Sequence, residues 1–175
     1  MINDLEYMYE ISKNYGIECH ELTNHMYDKK PYSVHLEIVY NYGVKYSNLV
    51  SLKLLPYVLS ACWTHDTIED TRETYNNVKQ YCGVIVADIV YACTNEKGRN
   101  RKERANEKYY EGIRNTPGAT FVKICDRLAN VKYSVENNSS MKDLYKKEYP
   151  NFKENLYIPE YKSMFDELEK LLKIK

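Results

Sequence analysis

The sequence is poor in glycine. Only six of its 175 residues are Gly, and none of them belongs to a GxGxxG or GxxxxGK[ST] pattern. These patterns surround the phosphates of dinucleotides and nucleoside triphosphates with backbone N–H groups. At the level of motifs, the sequence therefore excludes a dinucleotide-binding Rossmann site and a P-loop. Nucleotide chemistry remains open, but it would need a site of another type.

The sequence also lacks an excess charge, closely spaced cysteines and long apolar runs. Its 25 Lys and Arg balance 25 Asp and Glu, which argues against a DNA or RNA partner. The five cysteines contain no C-x-x-C pair, so we expect reduced thiols packed as small hydrophobic side chains. No apolar run approaches the ~18 residues that a membrane span needs, and the N-terminus lacks the apolar segment of a signal peptide. We therefore expect a cytoplasmic protein without a membrane partner.

Hydrophobic residues recur at helical spacing in nearly every segment. Gly16 is expected to end the first helix, and the apolar stretch 84–93 favours a buried helix over a strand. The 19 tyrosines are expected to act mainly as bulky amphipathic packing groups. We predict an all-α fold, a compact single-domain helical bundle over residues 1–175. Its motif-bearing core would span about 20–135, and its C-terminal helices 141–175.

Titratable side chains are concentrated at the end of one apolar segment, where His65, Asp66, Glu69 and Asp70 fall within six residues. Helical spacing would place His65 one turn from Glu69, and Asp66 one turn from Asp70. The pattern is typical of a functional site because burying such groups is costly. It is also compatible with capping of a helix end, since Asp70 followed by Glu73 fits a capping box for a helix through Gln80.

His35 and Asp126 stand on the apolar sides of two other predicted helices. Taken alone, His35 would be read as an ordinary core histidine, and Asp126 as the partner of Arg127 in a buried ion pair. Together with His65 and Asp66, however, they form a natural nitrogen and oxygen ligand set for a divalent transition metal. Glu69 and Asp70 would then remain to activate a water molecule.

Three motifs carry a resemblance to a known family. They are PYSVH (residues 31–35), HDTIEDT (65–71) and VKICDRLANV (122–131). The order of His35, His65-Asp66 and Asp126 resembles the HD superfamily of metal-dependent phosphohydrolases, and in particular RelA/SpoT-type hydrolase domains and small alarmone hydrolases. The resemblance implies a helical HD-type fold and a manganese-dependent 3′-pyrophosphohydrolase of guanosine tetra- or pentaphosphate. Alternatives are another substrate, such as a nucleoside monophosphate or the 2′-phosphate of NADPH, and a nucleotide-sensing module without turnover.

Carried over by position, the resemblance implies specific roles for individual residues. The metal ligands would be His35, His65, Asp66 and Asp126, and the catalytic acidic pair would be Glu69 and Asp70. Asn130 matches an Asn that contacts the nucleotide. Met26 stands where the family has an Arg that packs on guanine, so the sequence departs from the family at the base-binding position.

Cations for the substrate phosphates are expected from two places. Lys30 follows Met26 closely, and residues 97–104 form the only dense basic run, which includes Arg101 and Arg104. Such a run is commonly a solvated surface, but its position between the second and third ligand segments favours a loop that binds phosphate. A nucleotide is thus the expected partner, and the sequence leaves an oligomer open.

Overall fold

The computed structural model describes residues 2–174, with side chains from residue 7 onward. The helices in chain order are α1 (Ile2–Leu22), α2 (Ser33–Lys45), α3 (Leu55–Thr64), α4 (Thr67–Asp70), α5 (Tyr75–Cys82), α6 (Val84–Cys93), α7 (Arg101–Arg104), α8 (Glu107–Asn115), α9 (Ala119–Glu136), α10 (Met141–Leu156) and α11 (Lys162–Leu172). Short 3-10 turns lie at Ser47–Leu49 and Pro159–Tyr161. Two strands of two residues each, β1 (Met26–Tyr27) and β2 (Lys30–Pro31), pair antiparallel. The predicted all-α fold class is confirmed, and so is the helix over 84–93.

Helix α9 is the centre of the bundle. It packs against α2, α3, α6, α8, α10 and α11. Its apolar residues recur every three or four positions, and Phe121, Ile124, Leu128 and Val131 are completely buried. Because α9 also carries Asp126, the candidate site is attached to the most enclosed helix of the described chain.

Helix α1 continues past Gly16, so the expectation that Gly16 ends it is wrong. The glycine lies instead where α1 crosses α3. A Cβ atom at position 16 would lie 2.0 Å from the carbonyl oxygen of Trp63. Only glycine permits this backbone contact, which brings α1 against the end of α3 that precedes His65.

The C-terminal helices cover α9 from one side. In α11, Met164, Phe165 and Leu168 are buried, as the apolar spacing predicts. All five cysteines are buried free thiols, which confirms their expected packing role. Many tyrosines bury their rings and hydrogen-bond through the hydroxyl, as Tyr149 does to Glu169 at 2.8 Å. Within residues 2–174, no helix is both long and apolar enough to cross a membrane.

Candidate metal centre

Four side chains from three parts of the bundle converge at one buried point. His35 comes from α2, His65 and Asp66 from the junction between α3 and α4, and Asp126 from α9. Each offers one ligand atom, and these atoms all lie within 4.8 Å of one another. The Nε2 atoms of His35 and His65 are 3.3 Å apart, and Asp126 Oδ1 lies 3.4 Å from Nε2 of His35. The convergence predicted from the motifs is present.

The break between α3 and α4 presents the His–Asp pair. Helix α3 ends at Thr64, His65 is its C-cap residue, and Asp66 precedes the first residue of α4. His65 Nδ1 lies 3.1 Å from the carbonyl oxygen of Cys62, so this ring nitrogen is the donor. When the ring is neutral, Nε2 of His65 therefore carries the lone pair and faces the cluster, which is the tautomer a metal ligand needs.

Opposite charges dominate the electrostatics of the cluster. Burial disfavours all four charged forms, yet the two imidazoles hold the pKa of Asp66 well below its usual range. Burial likewise opposes charge on His65, but Asp66 and Asp126 raise its pKa well above the ordinary value. The two carboxylates thus create a negative potential that favours a positive charge at this point, whether it is a proton on a histidine or a bound cation.

The donor set fits a divalent metal ion. Two imidazole nitrogens and two carboxylate oxygens are a ligand mixture that first-row divalent metals accept. All four residues are buried, so the cation would be shielded from bulk water. His35 already points Nε2 at the other three side chains, and its Nδ1 is buried without a hydrogen-bond partner within the described chain. The cluster could therefore hold one divalent ion.

Glu69 lies beside the cluster in a fixed position. Its Oε1 accepts a hydrogen bond of 2.6 Å from Asn95 Nδ2, and its Oε2 accepts one of 3.1 Å from the Asn95 backbone N–H. Asn95 follows α6, 26 residues further along the chain. The bidentate contact immobilises the Glu69 carboxylate at the edge of the cluster.

Asp70 does not cap the next helix. The N-cap of α5 is Thr74, which forms a capping box with Asn77, so the predicted Asp70–Glu73 box is wrong. Thr74 has the extended backbone of an N-cap residue, whereas Asp70 is the last residue of α4. Although Asp70 as a residue is exposed, partial burial of its carboxyl group and the negative charges of Asp66 and Glu69 raise its pKa to about 7. A carboxyl group with such a pKa can exchange a proton near neutral pH.

Asp126 pairs with Lys123 and not with Arg127. The Lys123 ammonium group lies 2.9 Å from Asp126 Oδ2, and both side chains are buried. Arg127 instead binds Glu148 of α10 at 2.9 Å. The alternative of an Asp126–Arg127 pair is therefore wrong, and Oδ1 of Asp126 is left to face the histidines.

Asn130 connects the cluster to a cavity. Its side-chain amide donates a 2.5 Å hydrogen bond to Asp126 Oδ1, and its Oδ1 accepts one of 3.0 Å from the Tyr27 hydroxyl. Asn130 also lines a cavity of about 370 Å³ whose walls include Tyr27, Tyr133 and Tyr145. The cavity is thus adjacent to the four candidate ligands.

Of the three cationic side chains predicted to meet the substrate phosphates, Lys30 and Arg101 lie at the rim of this cavity. Lys30 lies over the ring of Tyr133 with its Nζ 5.6 Å from the centroid, so it is at the rim of the cavity. Arg101 lies over Tyr145 at 5.9 Å and is paired with Glu148 at 2.8 Å, at another part of the rim. Within the described residues, Arg104 makes backbone hydrogen bonds, its N–H donating to Asn100 at 3.1 Å and its carbonyl oxygen accepting from Glu96 at 3.2 Å, and it forms no ion pair with the cluster.

Three contacts of the site were not predicted from the sequence. Asn95 and Lys123 hold Glu69 and Asp126, and Tyr27 contacts both Asn130 and the ring of His35 at 4.7 Å. The only sequence signal was a lysine three residues before Asp126, which is helical spacing. Met26, at the position of the family's Arg, is half exposed on β1.

The comparisons with known proteins agree with this picture. No protein-family model matches the chain. The guanosine-3′,5′-bis(diphosphate) 3′-pyrophosphohydrolase MESH1 of Mus musculus is 35% identical over 75 residues, which are 43% of this chain and 42% of the mouse protein. The guanosine-3′,5′-bis(diphosphate) 3′-pyrophosphohydrolase of Aquifex aeolicus (strain VF5) is 29% identical over 132 residues, which are 74% of this chain and 17% of that protein. The chain therefore matches less than half the length of these curated relatives.

A solved structure matches almost the entire fold. It is described by the words "A metazoan ortholog of SpoT hydrolyzes ppGpp and plays a role in starvation responses". The TM-score is 0.74 with 19% sequence identity, and the match covers 95% of this chain and 94% of the other. The class of fold is thus the helical HD type. Among proteins of that class the similarity is to SpoT-like hydrolases, which confirms the resemblance predicted from the motifs.

Proposed function

We propose that this chain is a metal-dependent nucleotide phosphohydrolase that removes the 3′-pyrophosphate from guanosine tetra- or pentaphosphate. The observation that carries the proposal is the convergence of the ligand atoms of His35, His65, Asp66 and Asp126 within 4.8 Å. Glu69 and Asp70 lie on the short helix α4 that follows Asp66. Relatives named as 3′-pyrophosphohydrolases of this nucleotide give the substrate. We also propose that residues 1–175 act as one hydrolase domain, because α10 and α11 pack directly on the helix that carries Asp126.

The proposed cofactor is a manganese ion bound by the two imidazoles and the two carboxylates. Carboxylates favour Mn²⁺ and Mg²⁺, whereas imidazoles favour the transition metals, so the mixture suits Mn²⁺. A divalent ion in this position would polarise the scissile phosphate and make the attacking water more acidic.

Glu69 and Asp70 are proposed to orient that water and to take its proton. Glu69 is held rigidly by Asn95, which suits an orienting group. Asp70 has a pKa near 7, which suits a group that accepts a proton at cellular pH. The water oxygen would form a bond to the phosphorus attached to the ribose 3′ oxygen while the bond between that phosphorus and the 3′ oxygen breaks. The proton taken from the water would pass to the 3′ oxygen, so that pyrophosphate and the 3′-hydroxyl nucleotide leave.

The cavity beside Asn130 is proposed to receive the nucleoside. Its tyrosine rings offer flat surfaces for a base, and Asn130 reaches from the cavity to Asp126. Lys30 and Arg101 at the rim are proposed to meet the phosphates. Arg104 is proposed to assist from the same short helix, α7, as Arg101.

A second candidate is hydrolysis of another phosphorylated nucleotide. It is favoured by one observation: Met26 is half exposed, and the cavity is lined by tyrosines and amides that do not distinguish guanine strongly. Stacking on tyrosine accepts any base. The choice between the two candidates therefore depends on the base pocket and not on the metal centre.

The test is a nucleotide panel with the purified full chain and added Mn²⁺. We expect release of pyrophosphate from guanosine tetraphosphate, and loss of this release when Asp126 is replaced by Ala. Phosphate release from a different nucleotide would favour the second candidate. Binding of Mn²⁺ and nucleotide without any product would contradict both and indicate a sensing module.

A further inference from the structure

Tyr32, the tyrosine of the PYSVH motif, contacts the cluster directly. It precedes α2, it is 8% exposed, and its hydroxyl group donates a hydrogen bond of 2.5 Å to Asp66 Oδ2. The same oxygen lies 2.9 Å from His65 Nε2 and 3.5 Å from His35 Nε2. Tyr32 therefore holds the Asp66 oxygen that faces the two imidazoles.

The hydroxyl group of Tyr32 also lies close to the second carboxylate. Asp70 Oδ2 is 3.4 Å away. A phenol carries a single hydrogen, so it donates to one acceptor at a time, and the nearer acceptor is Asp66. Tyr32 is placed between a proposed metal ligand and the proposed proton acceptor.

The ring of Tyr32 is fixed by its neighbours. His20 and His25 stack on it at centroid distances of 4.3 and 4.0 Å. Their own centroids are 5.1 Å apart and their Nδ1 atoms 2.9 Å apart, so both imidazoles lie on one face of the ring. Tyr27 contacts Tyr32 edge-on at 5.9 Å. The ring is thus held by α1, by the segment after it and by β1, which leaves the hydroxyl group little freedom.

We propose that Tyr32 is a positioning residue: it orients the Asp66 carboxylate toward the metal and sets its distance from Asp70. Groups that hydrogen-bond to a metal ligand fix its orientation, and their loss typically costs 10- to 100-fold in metal affinity or activity. The part of this role that concerns turnover rests on the proposed function, whereas the part that concerns metal binding does not.

The experiment compares Tyr32→Phe with Tyr149→Phe in the full chain. Tyr149 is the matched control because it is equally buried and also donates to a carboxylate, Glu169, far along the chain from the cluster. Affinity for Mn²⁺ is measured by competition with a chelator, and kcat and KM are measured with guanosine tetraphosphate. We expect Tyr32→Phe to weaken Mn²⁺ binding about 10-fold and to lower kcat with little change in KM. Tyr149→Phe should leave both unchanged.

A third variant separates the hydrogen bond from packing. Incorporation of 4-aminophenylalanine at position 32 keeps the ring and restores a donor, so it should recover Mn²⁺ affinity relative to Tyr32→Phe. Wild-type affinity in Tyr32→Phe, or equal loss in both variants at position 32, would overturn the proposal. If the wild-type protein shows no turnover, the proposed function fails, but the Mn²⁺ measurements still decide the role of Tyr32.

Discussion

Lys123 and Asp126 form an ion pair inside the bundle, one helical turn apart on α9, with 2.9 Å between Nζ and Oδ2. The pair occupies one oxygen of the carboxylate and leaves the other to the two histidines. A buried ion pair is costly to break from one side, because the remaining charge has no compensation.

Replacement of Lys123 by Met should therefore destabilise the metal-free protein. We expect the free energy of unfolding to fall by about 3 kcal/mol, measured by urea denaturation in the presence of a chelator. Lys153→Met is the matched control, because it breaks an exposed pair with Glu169 and should cost less than about 1 kcal/mol. If Lys123→Met and Lys153→Met lowered the free energy of unfolding equally, the negative charge of Asp126 would be stabilised without Lys123.

Replacement of Glu69 by Gln and of Asp70 by Asn tests proton transfer. Each change keeps the size of the side chain and most of its hydrogen-bonding capacity but removes a carboxylate; Gln at position 69 can accept only one of the two hydrogen bonds from Asn95. Turnover of guanosine tetraphosphate should fall by at least ~10²-fold, the usual scale of general acid–base catalysis. Mn²⁺ occupancy should remain near that of the wild type, because neither residue belongs to the four-residue cluster. Unchanged turnover would show that a group other than Glu69 or Asp70 accepts the proton.

Metal affinity should increase with pH. Without a cation, the pKa of His65 is raised, so the ring holds a proton that a metal must displace. Affinity for Mn²⁺ should therefore rise between pH 6 and pH 8 as the proton becomes easier to remove. Calorimetric titration in two buffers with different ionisation enthalpies would detect the released proton. Affinity independent of pH would mean that the metal-free cluster is already neutral at its histidines.

Asp70 should make the metal-free protein less stable as pH rises. Its pKa in the folded state is about 7, above the ordinary value of 3.8, so the folded protein binds the proton more tightly than the unfolded chain does. Stability is therefore lost progressively between about pH 4 and pH 7. For a fully buried group, a pKa change of this size would lower the free energy of unfolding by ~4 kcal/mol. Because Asp70 is exposed, solvent screening reduces this loss to about 1 kcal/mol.

Asp70→Asn should remove this loss. The variant should be about 1 kcal/mol more stable than the wild type at pH 8 and equally stable at pH 3.5, in chemical denaturation with a chelator present. If the variant were less stable than the wild type at both pH values, the Asp70 carboxylate would instead stabilise the folded chain through its hydrogen bonds, as a helix cap does.

The parts of the site that were predictable follow from short motifs and helical periodicity. His35 and Asp126 stand on apolar helix faces, and His65 and Asp66 follow the end of an apolar helix; such apolar surfaces must meet in the core of a bundle. The helix over 84–93 was predictable because helices flank this apolar stretch; its middle, including Ile89 and Val90, is buried, whereas Val84 and Tyr91 face solvent.

The remaining contacts depend on tertiary packing. Asn95 reaches Glu69 only because α6 ends beside α4, and Tyr32 reaches Asp66 only because the segment before α2 folds over the α3–α4 junction. Gly16 resembled a helix end because glycine is a common C-terminal residue of helices. Its actual role is steric, and it depends on a carbonyl 47 positions further along the chain.

The contact between Gly16 and the backbone of Trp63 sets the mutational tolerance of the first helix. Trp63 is two residues from His65, so a methyl group at position 16 would displace the backbone that presents a proposed metal ligand. Alanine, the best helix former in general, is for that reason a poor substitute here. A substitution in α1, remote in sequence from every proposed ligand, would thus alter coordination without touching a coordinating residue.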